Sequence, residues 1–129
     1  MKKVLGILLV MITMSMSLYA YDQADRIKDM QAMESAMAEI QKGLLYNNKA
    51  LVIEGVAKLK AASVNVEIVP KGAMDFSANF AKRQSQNIRD YSGKIETNMK
   101  DGHKHGAIKN YTKVLKECIS CHNKIRKWN

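Results

Sequence analysis

Apolar residues recur at alternating spacings of three and four along four segments of this chain, and this periodicity constrains its fold more than any other feature. Such spacing places residues on one face of an α-helix, whereas a half-buried strand alternates with a period of two. Aromatic residues make up only 6% of the 129 residues and nine residues are methionine, so the apolar faces are aliphatic and rich in thioethers. That composition disfavours a β-sandwich, and the length fits one domain.

The periodicity and its punctuation predict four helices. The first covers residues 22–46, and the second follows an asparagine cap in residues 47–48 and ends near Ser63. Asp75 is the predicted N-cap of the third helix, and Gly102 closes it before the fourth begins. The predicted inward faces are, in chain order, Met30, Met33, Met37, Ile40 and Leu44; Val52, Val56, Leu59 and Val66; Phe76, Phe80, Ile88, Tyr91, Ile95 and Met99; and Ile108, Tyr111, Leu115, Cys118, His122 and Ile125.

The connections between these helices are short, apart from one. Apolar and polar side chains alternate in residues 64–69, and Pro70 and Gly72 follow, which predicts an extended loop over residues 64–74. Short connections make consecutive helices antiparallel neighbours. The sequence therefore predicts an all-α fold, an antiparallel up-down-up-down four-helix bundle.

The first twenty residues are typical of a secretory signal peptide. Lys2 and Lys3 precede the apolar run of residues 4–11, and the small residue Ala20 lies just before the first acid, Asp22. An uncleaved anchor is the alternative, but hydroxyl side chains interrupt the apolar stretch, and a bilayer span needs about 20 mostly apolar residues. We therefore expect a signal peptide at 1–20, cleaved near Ala20, and a periplasmic domain at 21–129 without a membrane span.

The formal charge of +9 is concentrated in the last third of the chain. An exported protein does not normally meet nucleic acid, and this segment lacks the interleaved aromatic residues of a stacking platform. We therefore expect no nucleic-acid partner and favour an acidic redox partner protein. Solvated charges on an outer helix face are the alternative, and the sequence leaves the oligomeric state open, a homodimer included.

The segment Cys118-Ile119-Ser120-Cys121-His122 carries the chemistry. On a helix, residues three and four positions apart share a face, so both thiols and the imidazole point the same way. This is the C-x-x-C-H attachment motif of c-type haem, in which the thiols form thioethers with the vinyl groups and the histidine binds the iron. The predicted cofactor is one haem c, covalently bound through Cys118 and Cys121.

Three other interpretations of the two cysteines deserve comparison. A thioredoxin-type dithiol begins a helix after a strand, and no strand precedes this pair. A zinc site would need His103 and His105, but thirteen helical residues from His105 to Cys118 rise about 20 Å. A disulfide across one helical turn would close almost no loop and stabilise little.

With these residues in hand, the chain resembles the class II c-type cytochromes, the cytochrome c-prime family. The resemblance covers residues 21–129 and includes an R-x-x-x-M in the first helix (Arg26, Met30) and a C-terminal C-x-x-C-H-x-x-x-R that ends at Arg126. It implies that Met30 faces the iron opposite His122, as in the low-spin branch, and that Arg26 approaches a haem propionate.

The depth of Met30 along the first helix independently supports its assignment as a ligand. In an up-down bundle the start of the first helix and the end of the last share a pole, and Met30 lies about 12 Å inside Asp22 while His122 lies about 10 Å inside Asn129. Ordinary core packing is the alternative for Met30, and it is the better interpretation for Met33 and Met37, which lie deeper.

A His/Met-ligated haem exchanges electrons but has no open position for a substrate. The chain also offers no constellation of acid, base and nucleophile near the haem. We therefore expect an electron carrier rather than an enzyme. The alternative is a five-coordinate haem protein of the cytochrome c-prime type that binds nitric oxide or another small gas, if Met30 does not coordinate.

Overall fold

A computed structural model of the protein describes residues 21–69 and 77–125. Within these ranges the chain is entirely helical in its regular structure, with four α-helices, one short 3-10 helix and no strand. The elements are α1 (Gln23–Leu45), α2 (Lys49–Ser63), the 3-10 helix (Val64–Glu67), α3 (Ala78–Lys100) and α4 (Lys104–Ile125). The proposed signal peptide, Pro70, Phe76 and Arg126 lie outside the described residues.

The first two helices begin where side-chain caps satisfy their free backbone amides. The carboxylate of Asp22 accepts from the amide of Asp25 at 3.0 Å, and the side chain of Asp25 accepts from the amide of Asp22 at 3.1 Å, a complete capping box. The side chain of Asn48 accepts from the amide of Leu51 at 3.1 Å. The predicted bounds of both helices are therefore confirmed to within a residue or two.

The third helix begins differently from the prediction. Ser77, not Asp75, is its N-cap, and the Ser77 hydroxyl accepts from the amide of Phe80 at 3.2 Å. Serine and aspartate cap helices about equally well, so a sequence with both near the same boundary leaves the choice to tertiary structure. Asp75 itself lies outside the described residues.

Residues 64–67 form a 3-10 helix, so the prediction of an extended loop was wrong at this point. Val64 keeps right-handed helical dihedral angles after α2, and the helix tightens instead of ending. This turn buries Val66, which is 4% exposed, against the core. Only at Ile68 does the backbone become extended.

The core lies mainly between α1, α2 and α3. α1 packs along α2, α3 packs along α4, and α2 contacts α3, whereas α1 and α4 make few contacts with each other. Gly55 permits the close approach of α1 and α2, because a Cβ atom there would lie 2.9 Å from Cγ1 of Ile40. The buried apolar residues include most of the predicted inward faces of α1, α2 and α3: Met33, Met37, Ile40, Leu44, Val52, Val56, Leu59, Ile88, Ile95 and Met99.

In the part of the chain that the structure describes, no helix combines the length and the apolar character that crossing a membrane requires.

Candidate functional site

The predicted inward face of α4 lies at the edge of the core rather than inside it: Tyr111 and Cys118 are partly buried and pack against the core, and no member of the face is fully buried. The buried residues of α4 are Ala107, Asn110 and Val114, of which Ala107 and Val114 belong to the core. Ile108 is 42% exposed and Leu115 is 43% exposed, so their assignment to the core was wrong. Hydrophobic periodicity identifies an apolar face but does not identify what covers it.

Most of that face borders a cavity of about 680 Å³ between α1 and α4. Its walls are largely apolar, and a few polar side chains reach into it from both helices. The structure brings all five sequence-predicted site residues to this one cavity. They are Arg26, Met30, Cys118, Cys121 and His122.

Three methionines one helical turn apart line the α1 side of the cavity. Met33 and Met37 are buried and belong to the core, whereas Met30 is only partly buried and packs against its edge. Met30 is therefore the least enclosed of the three thioethers, and the one with most freedom to contact a group inside the cavity.

The two cysteines are free thiols in an apolar setting. Burial, together with the negative charge of neighbouring groups, raises the pKa of Cys118 to about 11. Burial also raises the pKa of Cys121, although the positive charge of Arg26 opposes that shift. Both thiols are therefore protonated at neutral pH, the opposite of a redox-active dithiol, whose reactive cysteine has a lowered pKa.

Arg26 places a positive charge against the cavity while being only 4% exposed. One guanidinium nitrogen donates to the backbone carbonyl of Ile68, and the guanidinium carbon lies 5.5 Å from the ring centroid of Tyr21. Its Nε atom is buried and has no hydrogen-bond partner among the described residues. A buried donor of this kind favours an additional acceptor, preferably an anion.

A set of polar contacts fixes the 3-10 helix that supports Arg26. Asn65 and the hydroxyl of Tyr21 both donate to the carboxylate of Asp29 on α1, at 3.1 and 2.6 Å. On the other side, Arg89 of α3 donates to Glu67 at 2.6 Å. These contacts hold the 3-10 helix between α1 and α3, and so they position the Ile68 carbonyl beneath Arg26.

Sequence reasoning missed a second stripe on α1 that also lines the cavity. Its members are spaced four, three, four and three residues apart, but most are polar or small, so a search for apolar periodicity does not detect them. They are Ile27, Gln31, Glu34, Ala38 and Gln41. Ile27 could have indicated this stripe, because it is a large apolar residue outside the predicted inward face. In the structure its side chain is 49% exposed.

His103 and His105 lie away from the cavity. His103 precedes α4 and His105 lies in its first turn, and α4 continues without a break through Cys118. The described residues contain no group of three or more His, Cys, Asp or Glu side chains placed to hold a metal ion.

Comparisons of the chain with protein-family models, with curated proteins and with solved structures gave no match.

Proposed function

We propose that this protein is a periplasmic mono-haem c-type cytochrome of class II that carries electrons, with His122 and Met30 as iron ligands. The proposal rests on one observation: Cys118, Cys121 and His122 all line a large cavity, and all three side chains are only partly buried. An attachment motif on a fully packed face would leave no room for a cofactor.

The size and lining of the cavity support a large apolar ligand. Its volume of about 680 Å³ falls within the range of about 300 to 1,000 Å³ that is usual for cofactor and small-molecule sites. Ile27, Leu115 and Ile119 on its walls are each more than two-fifths exposed. Covering these side chains with an apolar ring would stabilise the protein by removing their surface from water.

The residues on the walls match the groups that a covalently bound haem requires. Cys118 and Cys121, held as neutral thiols one turn apart, would form the two thioether bonds by adding to the vinyl groups. His122 and Met30, which line the same cavity, would be the two protein ligands of the iron. When bound, the haem supplies reversible one-electron transfer, and methionine ligation raises its reduction potential.

Arg26 fits the acidic rim of such a cofactor. Its unpartnered, buried Nε atom is suited to a carboxylate, which would gain a charge-assisted hydrogen bond there. The Ile68 carbonyl and the Tyr21 ring hold the guanidinium in place, so the side chain does not have to be ordered when the carboxylate binds.

An antiparallel up-down-up-down arrangement of the four helices is part of the proposal. Two contacts between α1 and α4 support it. Lys104, at the start of α4, donates to the Asn47 side chain just beyond the end of α1 at 3.3 Å, while Tyr111, further along α4, donates to Gln41 at 3.3 Å. Later residues of α4 thus meet earlier residues of α1.

Optical spectra of the purified, haem-loaded protein in both oxidation states test the proposed function. We expect low-spin spectra in both states and, in the ferric state, a sulfur-to-iron charge-transfer band at the red end of the spectrum. High-spin spectra at neutral pH would instead favour the five-coordinate, gas-binding alternative. Colourless protein from cells that contain the attachment machinery would contradict both.

A further inference from the structure

Two large apolar side chains project into solvent at the opposite end of α1 from Arg26. Leu45, the last residue of α1, is 73% exposed, and Tyr46, its C-cap, is 74% exposed. Ile108, one turn into α4, is also more than two-fifths exposed. Adjacent, highly exposed apolar residues in a turn between helices contribute nothing to the core, so they suggest a role in contact with another surface.

The turn that contains Leu45 and Tyr46 lies beside the turn between α3 and α4. Lys104 donates to the side chain of Asn47, and Lys49 donates to the backbone carbonyl of Lys100 at 3.1 Å. The two turns therefore form one end of the molecule, which we call the turn pole: residues 42–49 and 100–108.

The turn pole is basic as well as apolar. It contains Lys42, Lys49, Lys100 and Lys104, while Asp101 is its only acidic residue. Lys100 is partly compensated by Glu96, which lies 2.5 Å from its amine on the same helix. The other three lysine amines provide the positive potential around Leu45 and Tyr46.

We propose that the turn pole binds an anionic lipid surface. Tyrosine and leucine partition into the headgroup region of a bilayer, and flexible lysines can keep their charges at the phosphates while their stems lie along the apolar boundary. Each lysine close to an anionic bilayer strengthens binding about fivefold. Binding of this kind is peripheral and reversible, and it requires no membrane-spanning helix.

A lipid surface fits this pole better than an acidic protein does. Leu45 and Tyr46 are about three-quarters exposed in a turn, and shallow insertion into headgroups needs only such protrusion, whereas a stable protein interface buries its apolar residues in a well-packed centre. The inference does not depend on haem binding, because the proposed haem cavity is lined by other residues.

Sedimentation of the mature protein, as purified, with lipid vesicles tests the inference. The probes are vesicles of phosphatidylcholine and phosphatidylglycerol in equal amounts and vesicles of phosphatidylcholine alone. We expect binding to the anionic vesicles only. The double variant Leu45→Ser/Tyr46→Ser should weaken it about tenfold, and Lys42→Gln/Lys104→Gln should weaken it about fivefold per lysine.

Matched variants at the other end of the helices serve as controls. Val64→Ser removes an apolar side chain that is 51% exposed, and Lys28→Gln/Lys82→Gln removes two exposed lysines; both should bind vesicles as the wild type does. Failure to bind anionic vesicles, or equal weakening by the control variants, would overturn the proposal. A second outcome would also overturn it: the protein binds soluble poly-glutamate as tightly as it binds anionic vesicles, and Leu45→Ser/Tyr46→Ser does not weaken that binding. This outcome would indicate an acidic protein partner.

Discussion

Arg26 on α1 donates a hydrogen bond to the backbone carbonyl of Ile68, the residue that follows the 3-10 helix, and thereby joins two segments that are distant in the sequence. The same side chain is 4% exposed and its Nε atom has no partner in the described part of the chain. The guanidinium is thus held in place at the cavity wall with one donor still to be satisfied.

If the cavity holds the proposed haem, replacing Arg26 by glutamine should lower the midpoint potential of that haem. A positive charge near the cofactor disfavours the oxidised iron, so its removal stabilises that state, by on the order of tens of millivolts in a partly desolvated site. Potentiometric titration measures the shift. Arg83→Gln, at an exposed position on α3, is the control, and an unchanged potential in Arg26→Gln would contradict the proposed role.

Met30 and Met33 should respond differently to the same substitution. Met30→Ala is expected to remove the sulfur-to-iron band, convert the iron to high spin, and admit nitric oxide or carbon monoxide. Met33 is buried, so Met33→Ala should leave the spectrum unchanged. That substitution should instead lower the free energy of unfolding by about 2 to 5 kcal/mol. Identical spectra for wild type and Met30→Ala would exclude Met30 as a ligand.

The ion pair between Glu67 and Arg89 should make stability depend on pH. The hydrogen bond and positive charge of Arg89 hold the pKa of Glu67 below its usual value of 4.5. A lowered carboxyl pKa contributes stability above the unfolded-state value, and this contribution is lost as the pH falls through the folded-state value. Thermal unfolding should therefore show Glu67→Gln to be less stable than the wild type at pH 7, with the difference vanishing in acid.

The Glu54–Lys58 ion pair serves as a control for whether the loss of any ion pair makes stability depend on pH in the same way. Glu54 pairs with Lys58 at 2.9 Å within α2 and is well exposed, so Glu54→Gln should change the melting temperature little at any pH. If Glu67→Gln were as stable as the wild type at neutral pH, the pair would not be what holds the 3-10 helix against α3.

Much of the helical framework could be predicted from the sequence, because local signals and tertiary packing agree there. The spacing of Met33, Ile40, Val52 and Leu59 identified residues that are buried, and the side chain of Asn48 caps α2. Around Val66, the alternation of apolar and polar residues predicted a loop. The chain forms a 3-10 helix there instead, and this helix buries the Val66 side chain in the core. Competition of this kind between local pattern and packing cannot be read from a single segment.

The sequence predicted that the candidate site residues lie close together, but it did not predict what encloses them. The spacing of Cys118, Cys121 and His122 placed them on one face, and the structure brings them to one cavity with Arg26 and Met30. The partners of Arg26 could not be foreseen, because the Ile68 carbonyl and the Tyr21 ring reach it only through tertiary structure. Leu115 was predicted to be a core residue because it is apolar, but in the structure it borders the cavity and is 43% exposed.

Electron transfer with an acidic partner is expected to slow as ionic strength rises. Lys116 and Lys124 are exposed on α4 beside the attachment motif, and Arg126 and Lys127 follow it in sequence. A positive rim of this kind steers association through long-range attraction, which salt screens. Stopped-flow rates of Lys116→Gln/Lys124→Gln should be lower than those of the wild type at low salt and should converge with them at high salt. Electron-transfer rates that do not change with ionic strength would contradict electrostatic steering of an acidic partner.

Covalent attachment of haem to this chain can be read from the mass of the mature protein after acid denaturation. The protein should be produced in cells that contain the haem-attachment machinery, so that Cys118 and Cys121 can form thioether bonds. We predict the mass of residues 21–129 plus one haem, with the haem retained on a tryptic peptide that contains both cysteines, and retained equally in a Ser120→Ala control. A mass equal to that of the polypeptide alone, with both thiols free, would contradict the account.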